Sequence, residues 1–204
     1  TLSLDAADPA RLYFVTVNTD AADLTLTSQP EEGFVGYKRQ RGDVLRRWTV
    51  TPSTPLNETR VLPVDLTEEG EPLPTGYYAL SWLGGSAENR YRTSIRFAVV
   101  DRHVTLKMGA DEALVWVTDL RTAQPIAGAG VRLLNYTGQV LGNGLTDADG
   151  IARFTIPLQP ERWNTYLAVT GTPGQPDFGV TRSDWNENIN PLSLIHISEP
   201  TRPY

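Results

Sequence analysis

Asp147 and Asp149 have the spacing that comes closest to a known kind of binding site. In the run Asp147-Ala148-Asp149-Gly150, two carboxylates alternate with small residues, as at the start of a calcium loop, where oxygens converge on one cation. A full loop needs a third oxygen-bearing residue and a bidentate acid near its twelfth position, whereas an apolar run begins here at Ile151. Asp and Gly are also favoured in tight hairpins. The pattern therefore predicts a hairpin turn and no metal site.

Adjacent acidic residues are the second candidate for chemistry. Glycoside hydrolysis uses two carboxylates roughly 5 to 10 Å apart across a cleft, one of them with a raised pKa. The candidate pairs are Glu31 and Glu32, Glu68 and Glu69, and Asp111 and Glu112. All three lie in predicted loops beside Gly or Pro, where water keeps both carboxylates ionised. We predict no catalytic pair among them.

Elsewhere in the chain, few residues could act as a nucleophile or bind a metal. His103 and His196 are the only histidines, and cysteine is absent. No Ser or Asp arrangement around His103 suggests a triad, and thiolate chemistry or a Cys-ligated metal is excluded. We therefore predict no catalytic, cofactor-binding or metal-binding residue and no enzyme activity.

One basic cluster resembles the composition of a platform for single-stranded nucleic acid. Its members are Lys38, Arg39, Arg41, Arg46 and Arg47, flanked by Tyr37 and Trp48. Such platforms combine a positive groove with stacked aromatic side chains. The chain has a net charge of −6 and no aromatic ladder, so we predict a solvated face or a contact with a neighbouring domain, and no nucleic-acid partner.

The sequence around these residues predicts β-strands throughout. Three alternating apolar runs at 114–117, 131–134 and 151–156 are separated by Pro125, Gly128 and Gly150. Period-2 alternation gives each run a core face and a water face, and Pro and Gly supply the bends between them. This stretch predicts a meander of antiparallel strands. Trp48, Trp82 and Trp116 fall in strand patterns and are expected in the core.

Further alternating runs lie on both sides of the polar break Asp101-Arg102-His103. They are at 11–17, 23–27, 44–50, 59–66, 77–83 and 91–100 before it, and at 104–108, 165–170 and 178–181 after it. No βαβ spacing is present, which leaves an all-β chain. We predict two tandem antiparallel β-sandwiches of Ig-like type, over residues 11–101 and 102–190, preceded by a linker over residues 1–10.

Several short motifs carry a resemblance to a known family. They are Leu73-Pro74-Thr75-Gly76-Tyr77-Tyr78, Trp116-Val117-Thr118-Asp119-Leu120, Pro125-Ile126-Ala127-Gly128-Ala129, Thr146-Asp147-Ala148-Asp149-Gly150 and Ser183-Asp184-Trp185-Asn186. In this order, across most of residues 11–190, the chain resembles the linked macroglobulin domains of bacterial alpha-2-macroglobulins. Residues 116–154 alone also resemble the transthyretin-like and invasin-type Ig modules of surface proteins.

The resemblance implies a protease-trapping protein. Such relatives use a bait segment and, in many members, a thioester formed within a Cys-x-Glu-Gln motif, which a chain without cysteine cannot form. It therefore implies a non-catalytic scaffold segment whose partners are neighbouring macroglobulin domains of the full-length chain and, through the full-length protein, target proteases. It also implies export to the periplasm or cell surface, with a possible lipid anchor in the full-length protein. The alternative is an Ig-like binding module of an adhesin or other surface protein.

Residues 191–204 are expected to lie outside the fold. The run 192–202, LSLIHISEPTR, resembles the translation of a transposase adapter used in sequencing libraries. We interpret 191–204 as a non-native tail and expect the natural protein to continue beyond residue 190. No apolar run reaches the roughly 18 residues of a membrane-spanning helix, so we predict no membrane-spanning segment.

Overall fold

The computed structural model describes residues 2–35, 42–52, 57–86, 90–109, 111–156 and 165–183. The first half of the chain contains β1 (Leu2–Asp5), β2 (Arg11–Val17), β3 (Ala21–Gln29), α1 (Glu31–Val35), β4 (Val44–Val50), β5 (Thr59–Asp65), β6 (Gly76–Gly85) and β7 (Arg90–Val100). The second half contains β8 (Arg102–Met108), β9 (Glu112–Asp119), β10 (Gly130–Asn135), β11 (Val140–Leu145), β12 (Ile151–Thr155), β13 (Tyr166–Thr170) and β14 (Gly179–Arg182).

The first half folds into one sandwich of two sheets. A five-stranded sheet has the order β1-β7-β6-β3-β4, and a two-stranded sheet pairs β2 with β5. Alternate residues of each strand meet between them, so that Leu24, Leu80 and Trp82 of the larger sheet share a core with Leu12 and Val64 of the smaller one. Tyr78 is also in this core, and its hydroxyl donates to the carbonyl of Pro74 (2.8 Å).

The second half forms another sandwich of the same kind. Its sheets have the orders β12-β9-β8 and β11-β10-β13-β14. Val115, Val117 and Phe154 from the three-stranded sheet pack against Val131 and Leu133 from the four-stranded sheet. The prediction of an all-β chain made of two tandem antiparallel sandwiches is therefore confirmed. Among the described residues, every strand pairing is antiparallel except that of β1 with β7, which is parallel.

That parallel pairing corrects the prediction of a linker over residues 1–10. Leu2 to Asp5 pair with Phe97 to Val100 at the edge of the five-stranded sheet. Ala10 is also buried, and its carbonyl accepts a hydrogen bond from the amide of Leu66 (2.8 Å). Leu2 to Asp5 do alternate apolar and polar residues, but four residues are the shortest run in which such alternation indicates a strand.

The predicted meander over residues 114–156 is wrong in its connectivity, although its strands form. Strand β9 pairs with β8 and β12, whereas β10 pairs with β11 and β13. The chain therefore changes sheet after β9 and again after β11. Alternation shows which face of a strand is buried but not which sheet the strand joins, and the segment between Asp119 and Gly130 is long enough to cross between sheets.

Trp116 was expected in the core and is instead 42% exposed. It lies on the opposite face of β9 from the buried Val115 and Val117, as the alternation of that strand requires. Its indole Nε1 donates to the carbonyl of Asp149 (3.1 Å), so the ring lies over the turn that precedes β12. Trp82 is buried as predicted, and Trp48 is half-buried against the same core.

Candidate functional site at the junction of the two sandwiches

A third cluster of buried side chains joins the two sandwiches, and we call this region the junction. The first sandwich contributes Phe34, Val35, Tyr77, Ala98 and Val100, and the second contributes Leu120, Leu134, Leu167, Val169, Phe178 and Val180. The strand residues among them lie on the outer faces of the five-stranded and four-stranded sheets, opposite the residues that line the two internal cores. Phe34 and Val35 lie in α1, Leu120 follows β9 and Phe178 precedes β14. Both of these sheets are consequently buried on two faces where they meet.

Three aromatic rings form the centre of the junction. The ring centroids of Tyr77 and Phe34 are 4.5 Å apart, and those of Tyr77 and Phe178 are 5.1 Å apart with the planes nearly perpendicular (89°). Edge-to-face pairs of this kind stabilise beyond the area that they bury. The carbonyl of Phe178 also accepts hydrogen bonds from the amides of Asp101 (3.0 Å) and Arg102 (3.2 Å), so the chain between the sandwiches is fixed to the same cluster.

A bidentate ion pair borders this aromatic centre. Glu31 is the first residue of α1, and Arg132 lies on the outer face of β10. Arg132 Nη2 donates to Glu31 Oε2 (2.7 Å) and Nη1 donates to Oε1 (3.2 Å). The Tyr77 hydroxyl donates to the same Oε2 (3.3 Å). Two parallel N–H···O bonds fix orientation as well as distance, so the pair sets the register of one sandwich on the other.

The contacts around Glu31 also shift the pKa values of Arg132 and Tyr77. The hydrogen bond to Glu31 raises the pKa of Arg132, against the opposing effect of burial. Burial raises the pKa of Tyr77 well above its ordinary value, and the negative charge of Glu31 adds to the effect. Tyr77 is therefore a neutral hydrogen-bond donor at physiological pH.

Polar contacts at two further places join the halves of the chain. The Thr75 hydroxyl donates to the carbonyl of Gln175 (2.9 Å), and the amide of Gly174 donates to the carbonyl of Thr75 (2.8 Å) and reaches its hydroxyl (3.0 Å). Arg121 Nη2 lies 3.2 Å from Asp5 Oδ1. Burial opposes ionisation of Asp5, but the hydrogen bonds from the Ala7 amide and from Arg121 outweigh it and lower its pKa.

The acidic pairs singled out in the sequence have separate roles. Within the part of the chain that the structure describes, Glu31 is the one member of these pairs that forms an ion pair, with Arg132. Glu68 and Glu69 lie in an exposed bend between β5 and β6, and Asp111 and Glu112 lie at the exposed start of β9. Among the described residues, no group of three His, Cys, Asp or Glu side chains could hold a metal ion.

The calcium-like run forms a turn whose carboxylate is already occupied by backbone amides. Asp147 Oδ1 accepts hydrogen bonds from the amides of Asp149 (3.0 Å) and Ile151 (2.9 Å), and Gly150 has a φ of +75°. The predicted turn is present, but the prediction that it is a hairpin is wrong. It connects β11 to β12, which belong to different sheets.

The basic cluster is only partly within the described residues, since Lys38, Arg39 and Arg41 lie outside them. Arg46 donates through Nη1 to the carbonyls of Asp65 (2.9 Å) and Thr67, and its guanidinium lies 4.4 Å from the centroid of the Trp48 ring. It therefore covers the edge of the first core. Arg47 is exposed. His103 is exposed with Nε2 3.2 Å from the Thr105 hydroxyl, and His196 lies outside the described residues.

A family model for the bacterial alpha-2-macroglobulin MG3 domain matches residues 99–194. This segment, a little under half of the chain, is similar to the MG3 domain of the bacterial alpha-2-macroglobulin family. The match begins beside the break between the two sandwiches and includes all of the second one. No curated protein sequence matches the chain.

Solved structures of macroglobulins share the fold of both sandwiches. Native alpha-2-macroglobulin from Escherichia coli spanning domains MG0-NIE-MG1 matches with a TM-score of 0.68 and 15% identity, over 88% of this chain and 60% of that one. The NIE-MG1 piece of the same protein matches with a TM-score of 0.66 and 16% identity, over 89% and 94%. A Salmonella alpha-2-macroglobulin mutant matches with a TM-score of 0.61 and 16% identity, over 88% of this chain and 11% of that one.

The macroglobulin-like motifs around β9 and β12 have a structural explanation. Asp119 Oδ1 accepts hydrogen bonds from the amides of Arg121 (3.1 Å) and Thr122 (2.7 Å) and from the Thr122 hydroxyl (2.9 Å). The Thr146 hydroxyl donates to the carbonyl of Ile126 (2.6 Å) and accepts from the amide of Ala129 (2.8 Å). These bonds hold the crossing between the two sheets of the second sandwich in place.

The motif at residues 73–78 serves the junction instead. Thr75 bonds to the turn between β13 and β14, Tyr77 faces the second sandwich, and Tyr78 faces the first core. The sequence analysis identified this motif but did not identify Glu31, Arg132 and Phe178 as residues of the junction. A signal was present in β13, where all five residues of Tyr-Leu-Ala-Val-Thr are buried. A continuous apolar run of that length is typical of a strand covered on both faces.

Proposed function

We propose that the chain is a non-catalytic scaffold segment of a bacterial alpha-2-macroglobulin-like protease inhibitor. The observation that carries this proposal is the junction. Buried aromatic rings, a bidentate ion pair and backbone hydrogen bonds hold two macroglobulin-like sandwiches against each other. A trap that is cut at one place and closes at another needs domains that move as stiff bodies, and a packed junction of this kind resists bending.

The proposed boundary between the two domains follows from the arrangement of the strands. We place the boundary between the two domains at Asp101, because β7 ends at Val100 in one sheet and β8 starts at Arg102 in another. The start of the family match at residue 99 supports this position. The neighbouring macroglobulin domains of a longer polypeptide are the proposed partners, and proteases are partners only of the whole inhibitor.

The proposed location is the periplasm or the cell surface. Within the residues that the structure describes, no helix has the length and apolar character needed to cross a membrane. The absence of cysteine is compatible with an exported protein, since many folded domains in oxidising compartments carry no disulfide.

A protease assay tests the proposal directly. The purified chain is mixed with trypsin-like and elastase-like enzymes, and cleavage of a large protein substrate is measured. We expect no inhibition by the chain alone, and inhibition by the longer polypeptide that contains it. Stoichiometric inhibition by the chain alone would contradict the scaffold role. Saturable binding of the chain to a surface glycan or receptor would favour the adhesin alternative.

A further inference from the structure

The outer face of the two-stranded sheet is apolar and open to solvent. Tyr13 is 68% exposed, Val15 69%, Val17 43% and Val61 64%. The strand register places Tyr13 opposite Pro63 and Val15 opposite Val61, so the side chains adjoin across the two strands. We call this group of five residues the outer patch. Exposed apolar residues scattered singly need no explanation, but a contiguous group marks a contact surface.

Polar pairs close the patch at both ends. Arg11 Nε lies 2.6 Å from Asp65 Oδ1 at one end of the two strands. At the other end Asn18 Nδ2 donates to Asn57 Oδ1 (3.1 Å), and the amide of Asn57 donates to Asn18 Oδ1 (2.6 Å). An apolar centre bounded by hydrogen-bonding groups is the usual anatomy of a protein–protein contact.

Elsewhere in the chain, strands with apolar residues on both faces are covered by a second sheet. Strand β2 reads Arg-Leu-Tyr-Phe-Val-Thr-Val, with apolar residues on both of its faces. Strand β13 and the end of β7 also read as continuous apolar runs, and there the second face packs on another macroglobulin-like sheet at the junction. The outer patch has the same residue types, and no sheet among the described residues covers it.

We propose that the outer patch docks on an apolar sheet face of another macroglobulin domain in the same polypeptide. This inference rests on the proposed function, since it requires a longer chain with further domains. The matched macroglobulin structures support such a chain, because this one covers only 11% of the Salmonella protein.

The area of the patch favours an intramolecular partner over a second copy. Full burial of an aromatic side chain covers about 150–250 Å², so these exposed residues offer on the order of 400 Å². A stable complex between separate proteins buries about 800 Å² on each partner. Domains on one chain dock through less area because their effective concentration is high.

Cysteine labelling measures whether the patch is covered. Val15→Cys introduces the sole cysteine of this chain at a position outside the core, and Val61→Cys provides a second site on the neighbouring strand. Leu145→Cys, at a residue 72% exposed in the second sandwich, is the control. Maleimide labelling is followed by peptide mass spectrometry in the chain alone and in the longer polypeptide. We expect labelling at Val15 and Val61 to slow about tenfold or more in the longer polypeptide, because it then requires local opening, with a smaller change at Leu145.

The occupant is identified by cross-linking. A photoreactive benzoylphenylalanine at Tyr13 in the longer polypeptide should cross-link to another macroglobulin domain of the same molecule. Equal labelling in both contexts, equal slowing at Leu145, or cross-links to a second copy would each overturn the proposal. Micromolar dimerisation of the chain in sedimentation experiments, abolished by Val15→Thr, would also overturn it. Protease inhibition by the longer polypeptide is measured separately, so protection without inhibition would support the docking while rejecting the proposed function.

Discussion

Glu31 and Arg132 lie 101 residues apart in sequence and form two parallel hydrogen bonds across the junction, of 2.7 and 3.2 Å. The pair is partly exposed, with side-chain exposures of 24% and 39% respectively. Water therefore weakens the attraction, but the fixed fork of the guanidinium still selects one relative orientation of the two sheets. The ion pair thus contributes more to the geometry of the junction than to its stability.

A double-mutant cycle of Glu31→Gln and Arg132→Met should give a coupling free energy of about 1 kcal/mol, as for partly exposed ion pairs. Denaturant unfolding of the four proteins measures it. Glu32→Gln, at the adjacent helix residue, is the matched control and should show no coupling to Arg132→Met. A coupling indistinguishable from that of the control would show that the pair does not hold the sandwiches together.

Phe178→Ala should have a much larger effect than either ion-pair variant. The ring is fully buried and touches Tyr77 from the other sandwich. Truncation of a buried Phe costs about 3–5 kcal/mol, and we expect the unfolding transition to broaden or split as the sandwiches uncouple. Phe178→Leu keeps most of the volume and should cost less and unfold in one step. A loss below about 1 kcal/mol for Phe178→Ala would contradict the packed junction.

Local sequence patterns determined the strands well but could not assign them to sheets. Strand β4 has the bounds predicted from its alternation, 44–50. Alternation concerns one strand at a time, so it could not show that β9 and β10 belong to different sheets. Alternation did place Trp116 on the outer face of β9. We nevertheless expected Trp116 in the core, because tryptophan is usually buried.

The junction was harder to predict for the same reason. Glu31 and Arg132 meet only because the outer faces of two sheets stack, and no local pattern encodes which sheets stack. Burial on both faces does leave a trace in Tyr-Leu-Ala-Val-Thr of β13. That trace indicates that a second layer is present without identifying it.

Gly150 occupies a position that only glycine fits. Its φ is +75°, and a Cβ there would lie 2.6 Å from the carbonyl oxygen of Val117. Gly150→Ala should therefore cost about 3 kcal/mol, from backbone strain and steric overlap together. Gly128 has a similar φ of +71° with nothing within 4 Å of the added carbon, so Gly128→Ala should cost about 1 kcal/mol from strain alone.

Thermal and denaturant unfolding of both glycine variants separate the two effects. Gly130→Ala, in open space and at a residue without a positive φ, is the neutral control. Equal losses for Gly150→Ala and Gly128→Ala would show that the turn shifts to relieve the overlap with Val117.

Acid should weaken the crossing between the sheets of the second sandwich through Asp119. The amide of Thr122, its hydroxyl and the amide of Arg121 lower the pKa of this carboxyl below its ordinary value of 3.8. A carboxyl whose pKa is lowered in the folded state stabilises that state above its ordinary pKa and loses this contribution as the pH falls through the folded value. The neutral side chain of Asp119→Asn lacks this dependence.

We expect the urea midpoint of the wild type to exceed that of the variant at pH 7, and the difference between the two midpoints to close as the pH falls from about 5 toward 3. Comparing the two proteins at each pH cancels the titration of Asp23, whose pKa is also lowered. The titration of Asp5 cancels less completely, because the charge of Asp119 raises its pKa. A gap that stays constant over this range would show that the charge of Asp119 does not stabilise the turn.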